Sequence, residues 1–304
     1  MKCGILVFGA AGFIGRALVD RLLHDNYEVT AVDRVWDEKI SGVECVSGDV
    51  FNPDFLRTVI DGHDTAYHLV STTIPSTSNR DYLYDCESNI AGTLRMLEVL
   101  VEFDVKKVIF TSSGGTVYGI PKNIPISESA ETYPICAYGI SKLAIERYLY
   151  LYSYLHRIKA IVLRLSNPIG PGQLPDRGQG VVATFVNRVL QDEEVEVWGD
   201  GTAVRDFISI DDAVEALTRV MEIERPFTLL NIGSGKGYSV NQILDILKDK
   251  MDESIRVNYL PSRTCDVPAV VMDISKAKET LGWEPQVTFE QEIAKVIDGF
   301  RKML

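Results

Sequence analysis

No stretch of this chain approaches the ~20 consecutive apolar residues that a membrane-spanning helix needs. The opening run, Met1-Lys2-Cys3-Gly4-Ile5-Leu6-Val7-Phe8-Gly9, is too short for a secretory leader and passes straight into a glycine turn. Cysteine is sparse: Cys3, Cys45, Cys86, Cys136 and Cys265 are odd in number and far apart, with no CxxC and no Cys/His cluster at metal-ligand spacing. A disulfide framework and a zinc site are therefore not expected, and a reducing, cytoplasmic setting is. His24, His63, His68 and His156 show no metal spacing either. His68 ends an apolar run and reads as a structural strand-end residue rather than a base. Basic residues are outnumbered, 31 against 43 acidic, for a formal net charge of −12. That balance argues against nucleic acid or an anionic membrane as partner. It leaves room for an anionic small ligand, if cations or backbone N–H groups are placed locally. Internal repeats and low-complexity segments are also missing.

What is present suits a large packed core: 304 residues, 46% of them hydrophobic and 24% charged. Up to about residue 165, short β-branched runs alternate with helical patterns, the signature of parallel βαβ construction. Strands are expected at 5–8, 28–32, 43–47, 64–70, 107–111 and 160–165, and helices at 13–24, 82–103 and 133–156. After Asn167 the texture becomes loop-rich, with Pro168, Pro171 and Pro175 among Gly170, Gly172, Gly178 and Gly180. Ser239-x-x-Gln242 and Thr288-x-x-Gln291 read as capping boxes that open helices. The expected fold is α/β: a Rossmann-type doubly wound parallel sheet over 1–166, with a returning segment near 204–228, and a smaller mixed α/β domain over 167–304.

Gly9-Ala10-Ala11-Gly12-Phe13-Ile14-Gly15 is a GxxGxxG between the first strand and the first helix. Glycines permit a tight turn there, and the helix N-terminus offers N–H groups to a pyrophosphate. Asp33 ends the second strand 18 residues beyond Gly15, near the ~20-residue spacing of the acid that binds adenosine ribose hydroxyls. Its charge would repel a 2′-phosphate, which favours NAD over NADP; Arg34 beside it works in the other direction. Asp49, after the third strand, is placed either at the adenine edge or as a loop cap.

Tyr138-Gly139-Ile140-Ser141-Lys142 sets a phenol and an ammonium four residues apart on one helix face. A free tyrosine titrates near ~10. The Lys142 cation, with a positive nicotinamide ring, is expected to lower Tyr138 so that it takes a proton from a sugar hydroxyl. An ordinary amphipathic helix carries the same spacing by chance. The pattern gains weight from the strand at 107–111 and its Ser112-Ser113-Gly114-Gly115 end.

At this point the chain resembles the extended short-chain dehydrogenase/reductase family, in particular its NAD-dependent nucleotide-sugar 4-epimerases of the UDP-glucose (UDP-galactose) 4-epimerase type. The resemblance runs nearly the whole length: GAAGFIG at 9–15, His68-Leu69, SSGGTVYG at 112–119, YGISK at 138–142, NPIGPG at 167–172, GDG at 199–201, RDF at 205–207 and LGW at 281–283. It implies that Tyr138 takes the proton of the sugar 4-hydroxyl, hydride passes from C4 to NAD⁺, the 4-keto sugar turns over, and hydride returns to the other face. Cofactor contacts are implied at Gly9, Ala11, Gly12, Phe13, Ile14, Gly15, Asp33, Arg34, Asp49, Val50, Leu69, Val70, Ser71, Thr111, Tyr138, Lys142 and Pro168. A UDP-sugar, or another NDP-sugar, is implied against Ser113, Gly114, Tyr138, Asn167, Val182, Val197, Arg205, Arg263 and Asp266. Arg205 and Arg263 would clamp the diphosphate, and Asp266 would hold ribose or base. Ser71, Thr72 and Thr73 would line the sugar or simply finish a strand.

One departure stands out. The family usually has Ser or Thr four residues before Tyr118, and here that place is Gly114. Ser113 is the expected replacement beside Tyr138 and Lys142, with Thr116 or a water as alternatives. Gly114-Gly115-Thr116-Val117 offers no acid to move a second proton, which argues against a dehydratase or decarboxylase. A small residue at Val270 is expected to leave room for an N-acetyl group. A 4-keto-sugar reductase of the same family is the alternative activity. A homodimer is implied through helices near 82–103 and 133–156, where Tyr148, Leu149, Leu151, Tyr152, Tyr154 and Leu155 are unusually apolar for a surface.

Overall fold

The computed structural model describes residues 4–175, 180–263 and 267–302. Six strands come from the amino-terminal part: β1 (Gly4–Phe8), β2 (Val29–Asp33), β3 (Glu44–Ser47), β4 (His63–His68), β5 (Lys107–Ser113) and β6 (Lys159–Leu165). A seventh, β10 (Phe227–Ile232), returns from the later part of the chain to pair with β6. All pairings are parallel, in the order β10-β6-β5-β4-β1-β2-β3. β1 is buried along its whole length because helices cover both faces of the sheet. α1 (Phe13–His24) and α7 (Ile210–Arg219) pack together on one face, and α4 (Gly92–Glu102) and α5 (Ala137–His156) on the other. The strand order reverses between β1 and β4. A ligand in such a sheet binds beyond the carboxyl ends of the strands at that point.

Two expected helices differ in detail. The stretch 82–103 divides into α3 (Tyr82–Asp85), a π-helical turn (Cys86–Ala91) and α4. Gly92 follows the wide turn because a Cβ there would stand 2.7 Å from the Phe51 ring. The helix expected from 133 begins only at Ala137, since Cys136 is extended. Its first N–H is capped from a distance, with Ala137 N donating to Asn79 Oδ1 at 2.9 Å.

The later residues build two smaller sheets. In the first, β9 (Val204–Ser209) pairs with β7 (Asn167–Ile169), β11 (Gly237–Ser239) and β13 (Ala269–Val270). In the second, β8 (Val195–Trp198) pairs with β12 (Val257–Leu260). α6 (Val181–Leu190), α8 (Val240–Met251) and α10 (Phe289–Arg301) pack on them around Phe185, Ile243 and Ile293. Both capping boxes form, opening α8 and α10. A further cluster, Val117, Tyr118, Ile126, Val267, Val270 and Met272, joins these sheets to the carboxyl end of β5.

Candidate active site

The glycine turn lies at the carboxyl end of β1. Gly9 has φ +85°, and a Cβ there would stand 3.2 Å from the backbone of Leu69 and Val70, so the turn and the end of β4 approach as only glycine allows. At Gly15 a Cβ would stand 2.1 Å from Gly9 O, so that glycine is required by the turn itself. Gly12 has no capping side chain, which leaves the helix N–H groups at Phe13 and Ile14 free to face an anion. Asp33 lies against the same turn: its Oδ2 accepts from Ala11 N at 2.9 Å and its Oδ1 from Arg34 N at 2.7 Å. Arg34 itself is held by Asp49 at 2.7 Å. Asp49 also accepts from Phe51 N at 2.9 Å, so the loop-cap alternative is realised. Val50 is buried beneath it. Uncapped N–H groups, a glycine cradle and an acid at the second strand form a donor set that fits NAD. Arg34 is paired with Asp49 at the surface, and Arg16 lies at the same edge, donating to Ala11 O at 3.4 Å.

Tyr138 and Lys142 sit in the first two turns of α5. Lys142 is 5% exposed, and its Nζ donates to Thr111 O at 2.9 Å. The ammonium stands 4.6 Å from the Phe110 ring centroid and 5.6 Å from that of Tyr138. Burial lowers Lys142 to about 8, although Glu146 and Asp85 both act to raise it. For Tyr138 the protein groups by themselves act in the opposite sense. Its phenol is pushed well above the usual tyrosine range, by burial first and then by Cys136 and Asp85. Lys142 alone does not offset this loss of solvation.

Behind this pair lies a buried polar hub that periodicity did not reveal. Glu146, one turn beyond Lys142, accepts from Arg164 Nε at 3.0 Å and Arg164 Nη2 at 2.6 Å, and from Ser112 Oγ. The Arg164 guanidinium lies 4.7 Å from the Tyr118 ring centroid, and Tyr118 donates to Asn231 Oδ1 at 2.6 Å. A lone arginine inside the apolar strand Ala160-Ile161-Val162-Leu163-Arg164-Leu165 was the available signal for this pair.

The hydroxyl question takes a definite shape. A Cβ on Gly114 would stand 2.4 Å from Met272 Cε, so the place of the family's Ser or Thr is filled by methionine. Gly114 is buried with its N–H on Leu165 O at 2.8 Å. Ser113 ends β5 half-buried. Thr116 Oγ1 is buried without a hydrogen-bond partner, and Thr116 O lies 2.9 Å from where a Cβ on Gly139 would be, beside Tyr138. Asn167 Nδ2 donates to Asp206 O at 2.8 Å, and Pro168 O accepts from Gln173. His68 is buried, bonded to Thr93 Oγ1 at 2.9 Å and driven by burial down to about 3, so it is neutral and structural. Ser71, Thr72 and Thr73 bond to the π turn through Asn89 and Ser88.

The expected sugar-nucleotide residues are distributed unevenly. Arg205 is on β9 next to buried Asp206. That carboxylate accepts from Ser234 N, Gly235 N and Met272 N, tying β9 to the residue that covers Gly114. Arg263 stacks at 5.3 Å over Trp198 on the separate β8–β12 pair. Val182 and Val197 are buried at 0% and 1%, backbone included. Val270, also 1% exposed, packs with Met272. Asp266 lies outside the described residues.

Comparison with known proteins extends this picture. The profile of the NAD dependent epimerase/dehydratase family matches residues 5–233. A UDP-glucose 4-epimerase of Mycolicibacterium smegmatis is 32% identical over 306 residues, covering 97% of this chain and 98% of its own. A dTDP-4-dehydro-6-deoxyglucose reductase of Escherichia coli is 31% identical over 314 residues, covering 99% and 98%. The crystal structure of the UDP-glucose 4-epimerase of Thermotoga maritima with UDP-glucose superposes with a TM-score of 0.94 at 36% identity, covering 99% of each chain.

Proposed function

The chain belongs to the NAD-dependent epimerase/dehydratase family, and we propose that within it the protein is a UDP-sugar 4-epimerase that interconverts UDP-glucose and UDP-galactose. The observation that carries this reading is the Tyr138–Lys142 pair, with Lys142 Nζ fixed on Thr111 O at the carboxyl edge of the sheet. Thr111 lies near the carboxyl end of β5, two strands from β1, whose carboxyl end carries the glycine turn. NAD⁺, when bound, supplies the reversible hydride acceptor for the sugar C4 and the positive charge that Lys142 alone does not deliver to Tyr138. Gly9–Gly15, Asp33 and Lys142 are assigned to holding it. Tyr138 is assigned as the acid/base for the 4-hydroxyl proton. Ser113 is assigned as the hydroxyl that orients that sugar oxygen, with Thr116 as the competing group because its Oγ1 is buried and unpartnered. Arg205 and Arg263 are assigned to the diphosphate, for which guanidinium forks are suited.

The likeness to UDP-glucose 4-epimerases supports the plain hexoses over their N-acetylated counterparts. The reductase reading keeps a specific support in the E. coli relative. Asp33, whose charge repels a 2′-phosphate, disfavours NADPH as its reductant. Exposed Tyr82, Leu83, Tyr148, Leu151, Tyr154 and Leu155 on α3 and α5 support pairing of two copies, whereas Leu149 belongs to the core.

The test is incubation with UDP-glucose, UDP-galactose, UDP-N-acetylglucosamine and UDP-glucuronate without added reductant, with products resolved by NMR. Interconversion of the first two, with or without added NAD⁺, is the expected result. Conversion of a 4-keto sugar nucleotide only with stoichiometric NADH or NADPH would replace this reading by the reductase.

A further inference from the structure

Asp85 is a buried carboxylate to which the acid/base chemistry gives no role. It closes α3 at 1% exposure, and its oxygens accept only from neutral donors: the Thr73 hydroxyl, Asn89 Nδ2 at 3.2 Å and the Ser141 hydroxyl. Among the described residues it forms no ion pair. A carboxylate buried without a cation is costly, and a neutral asparagine would satisfy much of the same bonding. Its surroundings supply a reason for the charge. Ser141 lies inside the Tyr138–Lys142 turn. The segment 71–89 therefore grips α5 twice, through Asn79 at Ala137 N and through Asp85 at Ser141. Asn89, in the π-helical turn, locks that segment by bonding Ser71, Thr72 and Thr73. Such turns recur where a functional group must be aimed.

We propose that Asp85 is a positioning residue for the reacting pair: through Ser141 it fixes the turn of α5 that carries Tyr138 and Lys142, and it holds a negative charge beside both. Other ionisable groups face the pair without duplicating this. Glu146 acts on Lys142 from the same helix but is paired with Arg164 of β6; His68 at the end of β4 is neutral; Cys136 acts on Tyr138. Asp85 is the one of these that acts on both partners in the same direction, keeping Lys142 charged against burial and Tyr138 in its phenol form.

The experiment compares Asp85→Asn with Ser141→Ala in the full chain. Lysine 13Cε NMR follows Lys142, assigned by Lys142→Arg. In Asp85→Asn the Lys142 midpoint falls from about 8 by ~0.5 or more, since a neighbouring negative charge has gone. The acid limb of kcat/KM with UDP-glucose, set by the base Tyr138, also moves down in pH, because Asp85 acts to raise that phenol too. Ser141→Ala keeps the charge, so its acid limb stays in place while kcat drops about tenfold at unchanged KM, the mark of lost alignment. An unmoved or raised Lys142 midpoint in Asp85→Asn overturns the proposal. Should Asp85→Asn fail to fold, wild-type kcat in Ser141→Ala overturns it. Only the turnover arm rests on the epimerase reading. A wild-type protein inactive on every UDP-sugar defeats that reading, while the lysine titration still decides the role of Asp85.

Discussion

Around Tyr138, at the carboxyl edge of the large sheet, Lys142, Glu146, Arg164, Ser112 and Asp85 are buried, bonded and carried by regular elements. In 167–302 the groups assigned to the sugar nucleotide are presented differently. Arg205 stands half-buried on β9 between β11 and β13, Arg263 is exposed in a loop against Trp198, and Val182 and Val197 are buried. Proton transfer needs groups held in fixed relation and out of water, where fields act strongly. Recognition of a diphosphate needs charge in reach, and loops on a rigid scaffold supply it. The first region is therefore expected to fail in rate when altered, and the second in binding.

The largest expected effect is at Tyr138. Tyr138→Phe removes the proton acceptor without disturbing packing, so kcat falls about 10²–10⁴-fold, while isothermal titration with UDP-glucose shows an unchanged Kd. A variant with wild-type kcat and weakened binding would erase the contrast. Arg205→Ala and Arg263→Ala should each raise KM about tenfold to a hundredfold, as for a lost hydrogen bond to a charged group, with kcat changed little. A fall in kcat equal to the rise in KM would mean that the arginines act in the transition state instead.

Gly114 tests the seam between the regions. Gly114→Ser restores the family hydroxyl but drives its Cβ against Met272. Overpacking of this kind costs about 1–3 kcal/mol by urea denaturation. Adding Met272→Ala should return part of that loss, and strict additivity of the two substitutions would show that this contact does not select glycine. At neutral pH the smallest effect is expected from His68, because its burial costs stability only in acid. Burial drives it down to about 3 from its usual 6.5, so as pH falls through this range the unfolded chain takes up the proton first. Stability is thus drained as pH drops from 6.5 towards 3, by at most about 1.4 kcal/mol per pH unit. His68→Gln should flatten that part of the urea-midpoint profile. An equally steep profile would assign the loss to carboxylates.

Much of this architecture was legible before any coordinates. The span of α1 follows from the apolar spacing of Phe13, Ala17, Leu18 and Leu22 after a glycine turn, and Ser239/Gln242 and Thr288/Gln291 marked two helix starts. These are local signals, set by periods of two or 3.6 residues and by caps three residues long. The break of 82–103 by a π turn was not legible, because it follows from packing of Gly92 on Phe51, which lies 41 residues earlier.

The same division runs through the site. The sequence by itself determined a dinucleotide turn at Gly9–Gly15, an acid at Asp33 and a phenol–ammonium pair at Tyr138 and Lys142, since each depends on near neighbours along the chain. Only the tertiary structure decided what those groups experience. It raised Tyr138 by burial, fixed the Lys142 ammonium on Thr111, tied Arg34 to Asp49, filled the place of a missing hydroxyl with Met272 and brought Asp85 to Ser141 across 56 positions. Solvation and electric field are sums over everything packed around a group, and most of what surrounds these residues is remote from them in sequence.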